Sequence, residues 1–166
     1  MEMTHYMGLL ASNQPWNLII YMAIPVILAE TIAISELYLL FTRNFNSNVK
    51  KLSKWSGIIA GLYFLGIFFF LLKTAVIPIT FGGEWRGFVD VVAVGFYLLG
   101  VFPLFGICLL ELGIISKNKT EDEKLKNHAT FVAIFLIVAH IAMIFGMVNP
   151  SIFSSKPAEM PMAHVQ

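Results

Sequence analysis

The sequence is poor in charge and almost free of cysteine. Only 13% of its 166 residues are charged and 58% are hydrophobic, whereas about a quarter of a soluble domain is usually charged. This balance excludes a disordered chain and disfavours a soluble domain. The single cysteine, Cys108, excludes an internal disulfide, a Cys-x-x-Cys site and covalent c-type haem. A net charge of +1 gives no reason to expect nucleic acid as a partner.

Apolar residues fall into four blocks, each of about 20 to 28 residues, which is the length a helix needs to cross a bilayer. The blocks cover approximately residues 16–41, 55–79, 88–115 and 129–148. Trp16, Trp55 and Trp85 mark their boundaries, where an amphipathic ring favours the headgroup layer. The sequence predicts an all-α integral membrane protein with a single domain over residues 1–166. Short connections favour an up-down-up-down four-helix bundle in which the first and fourth helices are neighbours.

Basic residues in the connections set the predicted orientation. Eight of them lie between spans one and two or between spans three and four, against two elsewhere outside the spans. Since loops rich in Lys and Arg stay in the cytoplasm, both termini are predicted to lie outside. The amino-terminal stretch has no Lys or Arg and does not resemble a secretory signal. The tails, residues 1–15 and 149–166, are expected on the outer side of a bacterial inner membrane.

Small residues and prolines predict how the helices pack and bend. Gly57 and Gly61 form a small-xxx-small step typical of close helix packing. Pro25 and Pro103 each remove a backbone hydrogen bond inside a span and predict a kink. The charged segment at residues 116–127 is expected to be a solvated loop, with Asn127 as a cap for the fourth helix.

Several ionisable residues fall inside the spans, where an unpaired charge costs several kcal/mol. Counted along the helices, Glu30 and His140 both lie near the midplane on neighbouring helices, so we expect them to contact each other or to share a ligand. Such a pair is typical of a metal site, a proton relay or a structural hydrogen bond. Lys73 is expected to pair with Asp90 and is also within reach of Glu30.

Three further polar residues are placed toward the cytoplasmic side. Glu36 and Glu111 are interpreted as snorkelling or paired structural carboxylates, and Glu36 shares a helix face with Arg43. His128 is expected to be solvated or interfacial.

The most specific pattern is a Met-x-Met-x-His spelling at both ends of the chain. In an extended segment its two thioethers and imidazole point the same way, and this soft set suits Cu(I) better than Zn, Mg or Ca. Met143 and Met147 follow His140 on one helix face. The alternative is that these methionines only fill apolar space. The candidate metal ligands are Met1, Met3, His5, Met7, His140, Met143, Met147, Met160, Met162 and His164.

These patterns favour a copper-handling membrane protein that captures or delivers Cu(I) at its outer face, with a periplasmic metal carrier or a larger membrane complex as partner. Three alternatives stay open. The chain could be a b-type haem protein or redox-complex subunit with His140 as a haem ligand, a small proton-coupled permease using Glu30, His140 and Lys73, or a structural accessory subunit. Catalysis by this chain alone is not expected, because no nucleotide-binding, hydrolase, kinase or zinc-protease motif occurs.

The chain resembles small, uncharacterised four-helix inner-membrane proteins of bacteria described as permease-like. The segment that carries the resemblance is MTHYMGLLASNQPWNLIIYMAIPVILAET. The resemblance implies a location in the inner membrane and assigns no site residue.

Overall fold

The computed structural model describes residues 3–115 and 119–150, and these contain helices and no strands. Four helices are long and apolar enough to cross a membrane, so the predicted four-helix class and the membrane character are confirmed. A short fifth helix precedes them. The helices are α1 (His5–Ala11), α2 (Trp16–Thr42), α3 (Asn48–Gly82), α4 (Phe88–Glu111) and α5 (Glu121–Met147).

The four long helices are arranged as a ring of neighbours. Contacts join α2 to α3, α3 to α4, α4 to α5 and α5 to α2, so the predicted contact between the first and last spans is confirmed. The α2–α5 pair is the least closely packed of the four. We call the end at which α2 and α4 finish the basic end, and the opposite end the α1 end. Which of them faces the cytoplasm stays a prediction.

Close packing of α3 on α4 depends on the predicted glycine step. A Cβ atom at Gly61 would lie 2.5 Å from the Cβ of Cys108 and 2.6 Å from the carbonyl oxygen of Leu104. Neither atom can move away without moving the backbone of α4, because one is a backbone oxygen and the other is bonded directly to the backbone. The role of Gly61 in helix packing is therefore confirmed.

The predicted start of the fourth helix was wrong. Thr120 caps α5, and its side chain and that of Glu123 form a reciprocal capping box. Asn127 lies inside the helix rather than at its start, and the segment from Glu121 onward is helical rather than a loop. The charged turns extend the helix at the basic end.

The helices are irregular near their prolines, although the predicted kinks themselves stay a prediction. Pro25 follows a π-helical segment, Ile19–Ala23, and provides no N–H for the carbonyl groups one turn earlier. The freed carbonyl oxygen of Tyr21 accepts a hydrogen bond of 2.6 Å from the Tyr97 hydroxyl, and that of Ile20 accepts one of 3.0 Å from Tyr63. A second π-helical segment, Leu72–Val76, stands before Pro78. The break in α4 at Gly100 comes shortly before Pro103.

The amino-terminal tail is not the extended arm that was expected. From His5 it forms α1, whose Tyr6 and Leu10 side chains are buried in the bundle. The buried Thr4 hydroxyl caps α1 and donates a 2.8 Å hydrogen bond to the carbonyl oxygen of Gly146. The tail therefore contributes to packing at the end of α5.

Candidate functional site

A cavity of about 250 Å³ lies between α2 and α5 in the half of the bundle nearest α1. Its walls are largely aromatic and aliphatic and include Tyr6, Tyr21, Phe64 and Tyr97. The loose packing of α2 on α5 leaves this space, and the π-helical segment lies at its edge. Burial raises the pKa of Tyr6, on α1, to about 12, so this phenol lines the cavity in its neutral form.

Glu30 and His140 both line this cavity, one from each helix. The predicted direct contact was wrong, because neither residue hydrogen-bonds to the other within the described chain. The Nδ1 atom of His140 lies 2.6 Å from the carbonyl oxygen of Leu136. Glu30 has no hydrogen bond or ion pair to any described residue, and both side chains are exposed. That the two share one ligand stays a prediction.

Two methionines reach the same cavity. Met22 on α2 and Met143 on α5 line it beside His140. Met147 does not line it, and 64% of its surface is exposed. Of the predicted His140, Met143 and Met147 face, the first two line the cavity, and Met22 lines it from the neighbouring helix α2. That these side chains bind a metal stays a prediction.

The terminal pattern is described only in part. Met3 is exposed and Met7 is partly buried against the core. Four of the predicted ligands lie outside the described residues: Met1, Met160, Met162 and His164. In residues 3–115 and 119–150, no group of three or more His, Cys, Asp or Glu side chains is arranged to hold a metal ion.

His5 is engaged by Asp90, which is completely buried. Its Nδ1 atom lies 2.5 Å from Oδ2 of Asp90, and its backbone N–H donates to Oδ1 at 2.6 Å. The backbone N–H of Arg86 donates to the same carboxylate, and the Arg86 side chain donates to the carbonyl oxygen of Met3. The expected Lys73–Asp90 ion pair was wrong. Lys73 is exposed and has no partner in the described chain. The prediction failed because the depth of a residue along a helix does not fix the direction in which its side chain points.

A second polar centre lies near the basic end, and it corrects the prediction that His128 is solvated. The imidazole of His128 is buried between two carboxyl groups. Its Nδ1 atom contacts Oε1 of Glu36, and its Nε2 atom lies 3.1 Å from Oε1 of Glu111. We call Glu36, His128 and Glu111 the triad. The interpretation of both glutamates as paired carboxylates is confirmed, although Arg43 pairs with Asp122 instead of Glu36.

The triad is held from three helices and is closed on its fourth side by α3. Its members come from α2, α5 and α4 respectively, and Gly57 of α3 is so close that a Cβ there would lie 3.5 Å from Nε2 of His128. Lys50 of α3 approaches Oε1 of Glu111 to 4.0 Å. Glu36 also lines a groove between α2 and α5 that opens near the basic end. Sequence reasoning missed the triad. The Thr120–Glu123 capping box was the signal that would have placed His128 inside the helix.

Comparison with known proteins gives a family and no activity. A family model covers residues 1–162 and is described as a family of unknown function, DUF6803. The chain belongs to this family. No curated protein and no solved structure matches the chain. The functional argument for this DUF6803 member therefore depends on its own residues.

Proposed function

We propose that the protein handles copper and holds Cu(I) in the cavity between α2 and α5. The observation that carries the proposal is the convergence of Met22, His140 and Met143 on one cavity, beside the unpaired carboxyl group of Glu30. An unpaired charge at membrane depth is costly unless a ligand, a partner or a proton compensates it. A monovalent cation would balance the negative charge of Glu30.

The hydrogen bond of His140 favours metal binding at its other nitrogen. Since a carbonyl oxygen can only accept, Nδ1 must carry the proton in the contact with Leu136. In a neutral ring this leaves the lone pair on Nε2. Histidine ligands usually fix their orientation in this way, by donating the second ring N–H to a carbonyl or carboxylate group.

The two thioethers decide which metal is expected. Met22 and Met143 line the cavity from the two neighbouring helices α2 and α5, so an ion bound by both would bridge these helices. Thioether sulfur is a soft ligand that selects Cu(I), whereas Mg and Ca prefer oxygen. One imidazole and two thioethers make a set suited to Cu(I).

The terminal arms have a smaller role in this proposal than the sequence alone suggests. His5 is occupied by Asp90, which leaves Met3 and Met7 as soft groups of the described amino-terminal segment. Capture of Cu(I) by the carboxy-terminal Met160, Met162 and His164 stays part of the proposal. With both termini outside a bacterial inner membrane, the arms would receive the ion from a periplasmic metal carrier and pass it to the cavity.

Competition with a Cu(I) chelator tests the proposal on purified protein in detergent. Met22→Leu combined with Met143→Leu should lower Cu(I) affinity by at least tenfold, which is about 1.4 kcal/mol. Met147→Leu is the matched control, because Met147 lies on the same helix outside the cavity, and it should leave the affinity unchanged. Equal affinities for the double variant and the control would refute the site. Lost affinity only after removal of Met160 and Met162 would move the site to the arm.

A second candidate is supported by the walls of the cavity. Most of them are aromatic or aliphatic, with Glu30 and His140 as the ionisable groups, and this is the usual composition of a pocket for a small organic ligand. A lipid-soluble aromatic molecule such as a quinone would fit this chemistry, as expected for a subunit of a redox complex. Among the described residues His140 is the one histidine that lines the cavity, so these residues alone supply one of the two histidines that bis-histidine haem needs. Mass spectrometry of an organic extract of the purified protein distinguishes this candidate from copper binding.

A further inference from the structure

The cavity and the basic-end groove lie one after the other along the α2–α5 seam. Leu136 lines both of them. On one side of it the cavity presents Glu30 and His140, and on the other side the groove presents Glu36, which contacts His128. The seam therefore has a glutamate and a histidine at or beside each of two spaces, and the apolar Leu136 side chain borders both spaces.

The triad places the His128 ring between two groups that can exchange a proton. Each ring nitrogen of His128 faces one carboxyl group, Nδ1 toward Glu36 and Nε2 toward Glu111. Among the described residues, Nε2 of His128 and Oε1 of Glu36 are buried without an aligned hydrogen bond, so proton exchange would require a small reorientation of these side chains. Two protons can occupy these contacts in three ways: as an imidazolium between two carboxylates, or as a neutral ring with the carboxylic acid at either Glu36 or Glu111. All three arrangements carry a net charge of −1, so proton movement between them requires no change in the charge of this buried centre.

We propose that the α2–α5 seam is a proton pathway in which the triad exchanges a proton with the basic end and Leu136 separates it from the cavity. In the transfer step the acid proton of Glu111 moves to Nε2 of His128, and the proton on Nδ1 moves to Glu36. One O–H bond and one N–H bond break, and one of each forms. The proton thereby moves from the carboxyl group of Glu111, the last residue of α4, across the His128 ring to the carboxyl group of Glu36 on α2. The proposal does not depend on copper.

The charges around the triad are consistent with entry from the basic end. From α3, Lys50 lies 4.0 Å from Glu111 and 4.0 Å from Glu121, and Lys54 also acts on Glu111 electrostatically. From α5, Glu121 and Lys124 face the same carboxyl group and pair with each other. From α2, Glu36 faces the ring, and the groove in front of it is bordered by the charged side chains of Arg43, Asp122 and Lys126. Charged side chains therefore lie between the surface of the basic end and both carboxyl groups of the triad.

Proton flux into copper-free proteoliposomes that contain a pH-sensitive dye tests the pathway under an imposed membrane potential. Leu136→Ala should increase the flux several-fold, because it removes the side chain between groove and cavity. Ile137→Ala is the matched control, since Ile137 is exposed and lines neither space. Adding His128→Gln to Leu136→Ala should return the flux to the control level, because Gln cannot accept a proton at one end and release it at the other.

Two results would overturn the proposal. Equal fluxes for Leu136→Ala and Ile137→Ala would show that Leu136 is not a barrier, and a gain that survives His128→Gln would show that the triad is not on the path. Leu136→Val is a milder substitution that should give a smaller gain of the same sign if Leu136→Ala does not fold. Because the vesicles contain no copper, failure of this test leaves the copper proposal to its own chelator titration.

Discussion

His128 and His140 lie on the same helix in opposite surroundings. His128 is buried between the two carboxyl groups of the triad, whereas His140 is exposed at the cavity and hydrogen-bonds to its own helix through Leu136. A histidine enclosed by charged partners is fixed by the fold, while one with a free ring nitrogen at a cavity is available to a ligand. This difference is the basis for proposing proton exchange at His128 and ligand binding at His140.

The largest expected difference between the two histidines is in stability. His128→Ala leaves Glu36 and Glu111 buried without their partner, which should cost about 3 kcal/mol of unfolding free energy. His140→Ala removes only a contact within its own helix and should change stability by less than about 0.5 kcal/mol. Denaturation of both variants in the same detergent measures the difference. Equal losses would mean that the two sites do not differ in the way described.

A glycine substitution at the triad sharpens the comparison. A Cβ at Gly57 would lie 2.8 Å from Cγ2 of the buried Ile107 as well as close to His128, so Gly57→Ala should overpack this region at a cost of about 1 to 3 kcal/mol. Gly66→Ala is the control on the same helix, since nothing lies within 4 Å of its Cβ position. It should be neutral or stabilise by up to about 1 kcal/mol. Thermal unfolding that ranks the two variants in the reverse order would contradict the packing described here.

The third described histidine, His5, tests whether α1 is held in place by a buried carboxylate. Asp90→Asn removes the charge that accepts hydrogen bonds from His5 and Arg86, and charge-assisted hydrogen bonds contribute about 1.5 to 3 kcal/mol each. Amide hydrogen exchange in α1 should accelerate, while exchange in α3 should stay as it is. Glu84→Gln, which changes an exposed carboxyl group nearby, is the control. Unchanged exchange in Asp90→Asn would show that α1 is held by its apolar contacts alone.

The four long helices follow from the sequence because each has a continuous apolar run, but the polar contacts do not follow. Residue counting gave the depth of Lys73 and Asp90 in the membrane, but it did not give the rotation of each helix about its axis. The prediction therefore paired an exposed lysine with a carboxylate that is buried against His5. The error at His128 came from starting the helix at the apolar run, although the capping box at Thr120 begins it earlier. Helix α1 was missed because it has only seven residues, too few to give a clear periodic signal, even though Tyr6 and Leu10 are spaced to share one face.

X-ray absorption at the copper edge of the Cu(I)-loaded protein tests the central claim most directly, because it identifies the ligand atoms. The account predicts two sulfur scatterers and one nitrogen scatterer, with the sulfur signal lost in Met22→Leu combined with Met143→Leu and kept in Met147→Leu. A spectrum with only nitrogen and oxygen scatterers, or a sulfur signal that survives loss of both cavity methionines, would contradict it.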